Sequence, residues 1–344
     1  MTAMLNLAAC GGTARPNTYL YVGEAVVPPP DINQEPTGSV AQFKMESNGT
    51  LTALNASISS SAVPFYDLAV SPSNQFLFIP NGVTSEFVIG NSGSLTPVSD
   101  PSAVGSSVAF TPNGQFAVIS DPWGATLASY SLNLDGTLAP VSTVMTGGSP
   151  AYVVVDGTGQ FAYVADTNRD QVLEYTIALN GALIPNGSIS SSGYNPLDLV
   201  VSATGFLYCA NENSHSVTQF SINPSNGVLT FVNTFQAGSP PQGGPLWISF
   251  DPAGANAYVG ITGEVLQFTV DGDSGGLTSN GTMPVPNLAL WGAVDPSGKF
   301  FFTAGVIDGT VYQFMISSTG ALIPNGSISL GSNIVAETLA FAQR

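Results

Sequence analysis

The sequence predicts an all-β chain: a seven-bladed β-propeller of four-stranded antiparallel blades, with the ring closed by the C-terminal strand joining the N-terminal blade. Three marks that recur in step predict it. A Gly-x-Leu triplet ends at Leu51, Leu95, Leu138, Leu183, Leu229, Leu277 and Leu322, at intervals of 43 to 48 residues. Eight or nine residues before each leucine stands an aromatic: Phe43, Phe87, Tyr130, Tyr175, Phe220, Phe268 and Phe314. Earlier in the unit a turn leads into an aromatic-led stretch, as in Thr111-Pro-Asn-Gly-Gln-Phe116 and Asp295-Pro-Ser-Gly-Lys-Phe300. Self-similarity at this period, with no 3.6-residue apolar rhythm, excludes helical solenoids and marks propeller blades.

Each element of the unit follows from its residues. The innermost strand is an apolar run ahead of the turn, such as Ala151-Tyr-Val-Val-Val155 or Leu246-Trp-Ile-Ser-Phe250. The turn places Pro second and Gly or Asn fourth, which suits a β-turn. An aromatic-rich second strand follows. The third strand alternates with period two, as in Val217-Thr-Gln-Phe-Ser-Ile222 and Val311-Tyr-Gln-Phe-Met-Ile316, and β-branched and aromatic residues in alternation mark a half-buried strand. Gly-x-Leu then sits just past the hairpin into the outermost strand. The decapeptide from Gly181 to Ser190 recurs unchanged from Gly320 to Ser329, three units on, which makes duplication of the unit plain.

Counting closes the ring. The first unit begins at its second strand (Tyr19-Leu-Tyr-Val22), and the chain finishes on an unpartnered inner-type run, Ile334 to Phe341. That run should complete the first blade and remove an open sheet edge. Residues 17–344 are read as one propeller and residues 1–16 as a leader.

Only 8% of the 344 residues are charged, with 5 basic against 22 acidic, for a net charge of −17. Such a chain lacks the cations that nucleic acid or an anionic membrane surface requires. No segment approaches a membrane-spanning length of uninterrupted apolar residues, so a membrane is expected as a partner only through a lipid anchor. Leu7-Ala8-Ala9-Cys10 followed by Gly11-Gly12 is similar to a bacterial lipobox, which makes Cys10 the expected lipidation site. The nine residues before it contain no Lys or Arg, too little for a complete signal peptide, so a longer precursor is expected. Cys209, in a strand where sister units carry Val, Ile or Thr, reads as a small apolar filler.

Several motifs invite chemical readings. Gly272-Asp-Ser-Gly-Gly276 reproduces a serine-protease nucleophile motif, but its register assigns it to an outer hairpin that sister units fill with Asn-Gly, Asp-Gly or Ser-Gly. A single histidine, His215, rules out a multi-histidine zinc site. It precedes a third strand and is a candidate ligand contact. Asp271 and Asp273 lack the further acids of a strong Ca²⁺ loop, so no metal and no cofactor is predicted. Trp123 lies in the loop between second and third strands, at the expected tunnel mouth, where an aromatic suits a small planar ligand. Trp247 and Trp291 fall in inner strands and are expected to pack in the core.

The stretch Gly159-Gln-Phe-Ala-Tyr-Val164, with Ser216-Val-Thr-Gln-Phe-Ser-Ile222, resembles the lactonase-type seven-bladed propellers, which include 6-phosphogluconolactonases and carboxymuconate-lactonising enzymes. The resemblance covers residues 17–344 and implies a site at the tunnel mouth, on the loops between second and third strands. The family's acids match at Asp166 and Asp170, and its Asn-Glu pair at Asn211-Glu212. Its histidines are replaced around Ser149-Pro-Ala-Tyr-Val153, one arginine slot is Gln171, and a further family arginine has no counterpart. Glu212 is the candidate general base, with Arg169 near the lost arginine as the candidate anion contact.

These readings converge on an exported propeller, on the cell envelope or secreted, that binds a small molecule or a protein partner where Asp166, Arg169, Glu212, Trp123 and His215 lie. The missing histidines and arginines weigh against catalysis. A lactonase with a reduced site is the first alternative, and a structural cell-envelope module the second.

Overall fold

The computed structural model describes residues 16–26, 37–54, 57–60, 67–98, 103–331 and 333–344. Cys10 and most of the proline-rich segment after the first strand lie outside them.

Seven antiparallel blades form the ring. Blade one orders Ile334–Gln343, Thr18–Val26, Thr37–Met45 and Leu51–Ala53 from the axis outward, with Ile58–Ser60 also pairing with its third strand. Blade four is the regular case: Pro150–Val155, Phe161–Asp166, Gln171–Ile177 and Leu183–Ser190. Blade five repeats it with Pro196–Val201, Phe206–Asn211, Ser216–Ile222 and Leu229–Gln236. The expectation of seven separate four-stranded units meets two departures besides the fifth strand of blade one: Gly82–Val83 pairs with Val104–Gly105 as a small sheet of its own, and two blades are fused. Blades six and seven share a continuous six-stranded sheet, because Leu277–Val294 serves as the outer strand of one and the inner strand of the next. Within blade six, Asn256–Val270 runs through the turn at Thr262-Gly263 and folds back so that the Val270 N–H donates to the Ala255 carbonyl at 2.9 Å. In blades three to seven the outer pairing slips by one residue at the third-strand aromatic, as between Glu174 and Tyr175. A bulge there adds twist to the blade.

The core is a set of seams between blades. Phe161, Tyr163 and Ala165 of blade four pack against Leu199, Leu207, Cys209 and Leu229 of blade five, and equivalent clusters fill the other seams. Each large side chain buried there contributes about 1.5–3 kcal/mol. The recurrent marks of the sequence are the parts of this seam. Tyr21, Tyr163, Tyr208 and Tyr258 in second strands donate to the carbonyls of Gly93, Gly227, Gly275 and Gly320 on the next blade's hairpin. Gln42 and Gln267 in third strands accept the N–H of the next blade's Leu95 and Leu322 at 2.9 and 2.6 Å. Gly-x-Leu is therefore a docking element for the preceding blade.

Gly227 shows why the first position is glycine. Its φ is +72°, and a Cβ there would overlap the Phe161 ring. We expect Gly227→Ala to lose about 2 kcal/mol, from left-handed backbone strain and overpacking together. Gly205 shares the conformation (φ +82°) with nothing within 4 Å of a Cβ. Urea melts of Gly227→Ala and Gly205→Ala should therefore differ by the packing part alone; equal losses would place no weight on the seam.

Candidate functional site

Inner strands line the tunnel, and one register position sets its character. Asp67, Ser107, Tyr152, Asp198, Trp247 and Trp291 each stand four residues before the first turn residue of their blade. Thr338 takes that place in blade one through its pairing with Gly23. Four members of this layer are buried polar groups or aromatics that bind neighbouring blades. Asp67 accepts the Ser107 hydroxyl and the Val108 N–H, both at 3.0 Å. Ser107 accepts the Val153 N–H at 3.3 Å, and Asp198 accepts the Ile248 N–H at 2.8 Å. Trp247 stacks on Phe301 of blade seven at 5.8 Å. Burial, set against these N–H donors, pushes the Asp67 carboxyl up to about 6. Asp198, buried with one fewer donor group and near the Asp67 charge, is pushed up to about 8.

Two other members meet across the axis. Tyr152 of blade four and Trp291 of blade seven lie with ring centroids 5.7 Å apart, tilted by 45°. Both rings line two cavities of about 400 Å³ each, so the pair divides the tunnel. The lower cavity is bordered by Asp198 and Asp251. The upper cavity opens on the face carrying the loops between second and third strands. Its wall is Leu197, Leu246, Leu290 and Ala151 from inner strands, with Trp123 at the rim and Glu337 from the C-terminal strand. Trp291 packs against the seams on both sides of blade seven, as expected of a core residue, and also faces the tunnel, whereas Trp247 is fully buried, 1% exposed.

Of the residues singled out in the sequence, the structure pairs Asp166 with Arg169, ties Asp170 to Glu212 through Asn195, and leaves Trp123 apart. Asp166, ending a second strand, is buried and takes the Ser149 N–H at 2.9 Å. The Arg169 guanidinium lies 3.9 Å from its other oxygen and donates to the Thr146 carbonyl at 3.0 Å. Asp170 accepts the Asn195 N–H at 2.8 Å, and the Asn195 side-chain amide donates to Glu212 at 2.7 Å. Glu212 opens a single 3-10 turn, Glu212–Ser214, which His215 ends in the left-handed region (φ 51°). The Nδ1 atom of His215 is buried without a hydrogen-bond partner. This network links the loops of blades four and five. Beside it, Arg169, Tyr194 and the serines 190, 192 and 214 border a second pocket of about 320 Å³. Trp123 instead belongs to the tunnel cup, held by its loop: Asp121 accepts the N–H groups of Trp123 and Gly124, each at 3.0 Å.

Tyr152, Trp291, Glu337 and Tyr194 were not singled out by the sequence as ligand contacts. Register could have found the first two, since both occupy the tunnel layer. The protease-like motif forms an exposed hairpin where Asp271 caps Ser274 at 2.8 Å, as its register predicts. Among the described residues, no group of three His, Cys, Asp or Glu side chains converges as a metal site would.

Known proteins share this architecture. Residues 107–250 match the family described as "Lactonase, 7-bladed beta-propeller", and the described residues have the fold of a seven-bladed propeller of that type. A putative 6-phosphogluconolactonase from Bacteroides fragilis superposes with a TM-score of 0.80 at 19% identity, over 96% of this chain and 99% of that one. A periplasmic gluconolactonase from Pseudomonas aeruginosa gives 0.73 at 19% identity, over 94% and 99%. A protein from Lactobacillus plantarum gives 0.78 at 17% identity, over 94% and 99%. No curated protein matches the chain. At these identities the structural likeness establishes the fold.

Proposed function

We propose that this propeller is an exported binding protein that holds a small organic ligand in the upper tunnel cup, on the loop face. The observation that carries the reading is the Tyr152–Trp291 contact, which gives the tunnel an aromatic floor and turns its mouth into a cup of about 400 Å³. Cups of this size with apolar walls and few polar groups suit small ligands. Titrating the protein with a small-molecule library while following tryptophan fluorescence tests it. Ligands should perturb Trp123 emission, and Trp123→Ala, altering a residue 61% exposed, should weaken them without lowering the melting temperature. Ligands indifferent to Trp123 would move the site, first of all to the Arg169 pocket.

Lactone hydrolysis is the second reading, favoured by the family match over residues 107–250. It assigns Glu212 as base and Arg169 as the anion contact. Ring opening needs an activated water and positive charge at the oxyanion. The motif histidines and both motif arginines are missing at the matching positions, and Arg169 is the one cation in these loops. Hydrolysis of gluconolactone or its 6-phosphate that drops at least about 100-fold in Glu212→Gln would establish this reading; a rate equal to the buffer blank would remove it. Arg169→Ala separates the two readings: it should lower hydrolysis if Arg169 holds the anion and leave binding in the cup unchanged. Its pair with Asp166 is half exposed at the arginine and buried at the carboxylate, so a stability loss of about 1–3 kcal/mol is expected.

The proposal places the protein outside the cytoplasm, with Cys10 lipidated. The periplasmic location of one structural neighbour accords with it. A precursor carrying Cys10→Ser should partition with soluble protein; retention in the membrane fraction would exclude the anchor.

A further inference from the structure

We infer that the tunnel cup selects small organic cations with an apolar body, and rejects the carboxylates and phosphates for which a lactonase-type site is expected. The inference rests on the cup being the ligand site, and it concerns the charge of what enters.

The cup offers three aromatic rings: Trp123 at the rim, with Tyr152 and Trp291 as the floor. Ring faces attract a cation through their quadrupole, and the attraction grows as water is excluded. Glu337 is the one carboxylate on its wall, and no basic residue lines it. The described basic side chains are elsewhere. Lys44 and Lys299 border a cavity beside Glu46, Arg169 lies in the network of blades four and five, and Arg344 donates to Asn91. An anion in the cup would lose its hydration, meet no counter-charge and face Glu337, which is costly in an apolar enclosure. A cation would exchange its water for aromatic faces and a carboxylate.

The overall charge acts in the same direction. The chain as a whole carries a net charge of −17, a field that concentrates cations and repels anions at a concave site. The apolar walls of Leu197, Leu246 and Leu290 ask for hydrocarbon on the ligand, which separates such a cation from a bare metal ion or ammonium.

Calorimetric titration of the whole protein with phenyltrimethylammonium, benzyl alcohol and benzoate tests the inference. Phenyltrimethylammonium should bind about tenfold or more tightly than benzyl alcohol, and benzoate should not bind. Glu337→Gln, which keeps size and removes charge, should weaken the cation roughly fivefold and leave benzyl alcohol unchanged. Trp123→Ala should weaken both. Benzoate or benzyl alcohol binding as tightly as the cation would overturn the charge preference while leaving a ligand-binding cup. Binding of the cation that ignores both substitutions would overturn it by locating the cation elsewhere. If none of the three probes binds, the cup itself fails as the site, and the inference falls with it.

Discussion

Removing residues 333–344 is expected to abolish the fold, although it takes away one strand of a single blade. Ile334–Gln343 pairs along the whole of Thr18–Val26, from Val26↔Ile334 to Thr18↔Gln343. Its side chains serve three blades. Ala336 and Leu339 fill the seam between blades seven and one, and Ala342 fills that between one and two. Phe341 meets Phe302 of blade seven at 5.5 Å, and the Gln343 N–H donates to the Asn74 side chain of blade two at 3.0 Å. Each large side chain contributes about 1.5–3 kcal/mol through burial, and the deletion also exposes the full edge of Thr18–Val26. The total exceeds about 5 kcal/mol, the lower bound of typical net stability. The truncated chain should aggregate or lack a cooperative melt by circular dichroism, whereas removing residues 1–16 should leave the melt in place. A cooperative transition in the truncated protein would show that the ring does not depend on this closure.

The second large effect concerns pH. Asp198 is buried, with its folded carboxyl pushed up to about 8, and Asp67 to about 6, against an ordinary value near 4. Both folded-state values lie above the unfolded ones, so the folded chain holds protons that the unfolded chain has lost. Stability is then greatest near pH 4 and falls as pH rises, with Asp67 contributing up to about 6 and Asp198 up to about 8. Allowing for relaxation, the loss due to Asp198 should amount to about 3 kcal/mol by about pH 8.5. Asp198→Asn keeps an oxygen for the Ile248 N–H and cannot ionise. Its melting temperature should exceed that of the parent by several degrees at about pH 8.5 and match it near pH 5. Curves for parent and variant that stay parallel between those pH values would show that Asp198 does not titrate in this window.

Fold and closure are legible in the sequence because the residues that make seams are also the ones that repeat. Gly-x-Leu, the third-strand aromatic and the turn before the second strand each occupy a fixed place in every blade, so their spacing reports the architecture. The site is less legible for a physical reason. A tunnel is lined by single residues drawn from different blades, and its character comes from differences between units. Trp247 and Trp291 both read as core because inner strands are usually buried on both sides, and both pack in seams; that Trp291 also meets Tyr152 in the tunnel is set by its partner across the ring. The loops between second and third strands suggest one arc. Trp123 parts from Asp166, Arg169 and Glu212 because its loop leans on Asp121 toward the axis, while theirs are tied to each other through Asn195. The fusion of blades six and seven is equally hidden, since pairing continuity across Val285 to Leu290 leaves no mark in composition.

The duplicated decapeptide bears on how such a ring diversifies. In blade four its leading Gly181 rests on the ring of Phe116, and in blade seven the identical Gly320 rests on the amide of Asn256. One surface of unchanged sequence therefore has an aromatic seat in one blade and a polar seat in another. The unit that packs runs from the second strand of one blade to the hairpin of the next, so a substitution on either side is tolerated or rejected by a residue that belongs to a different repeat.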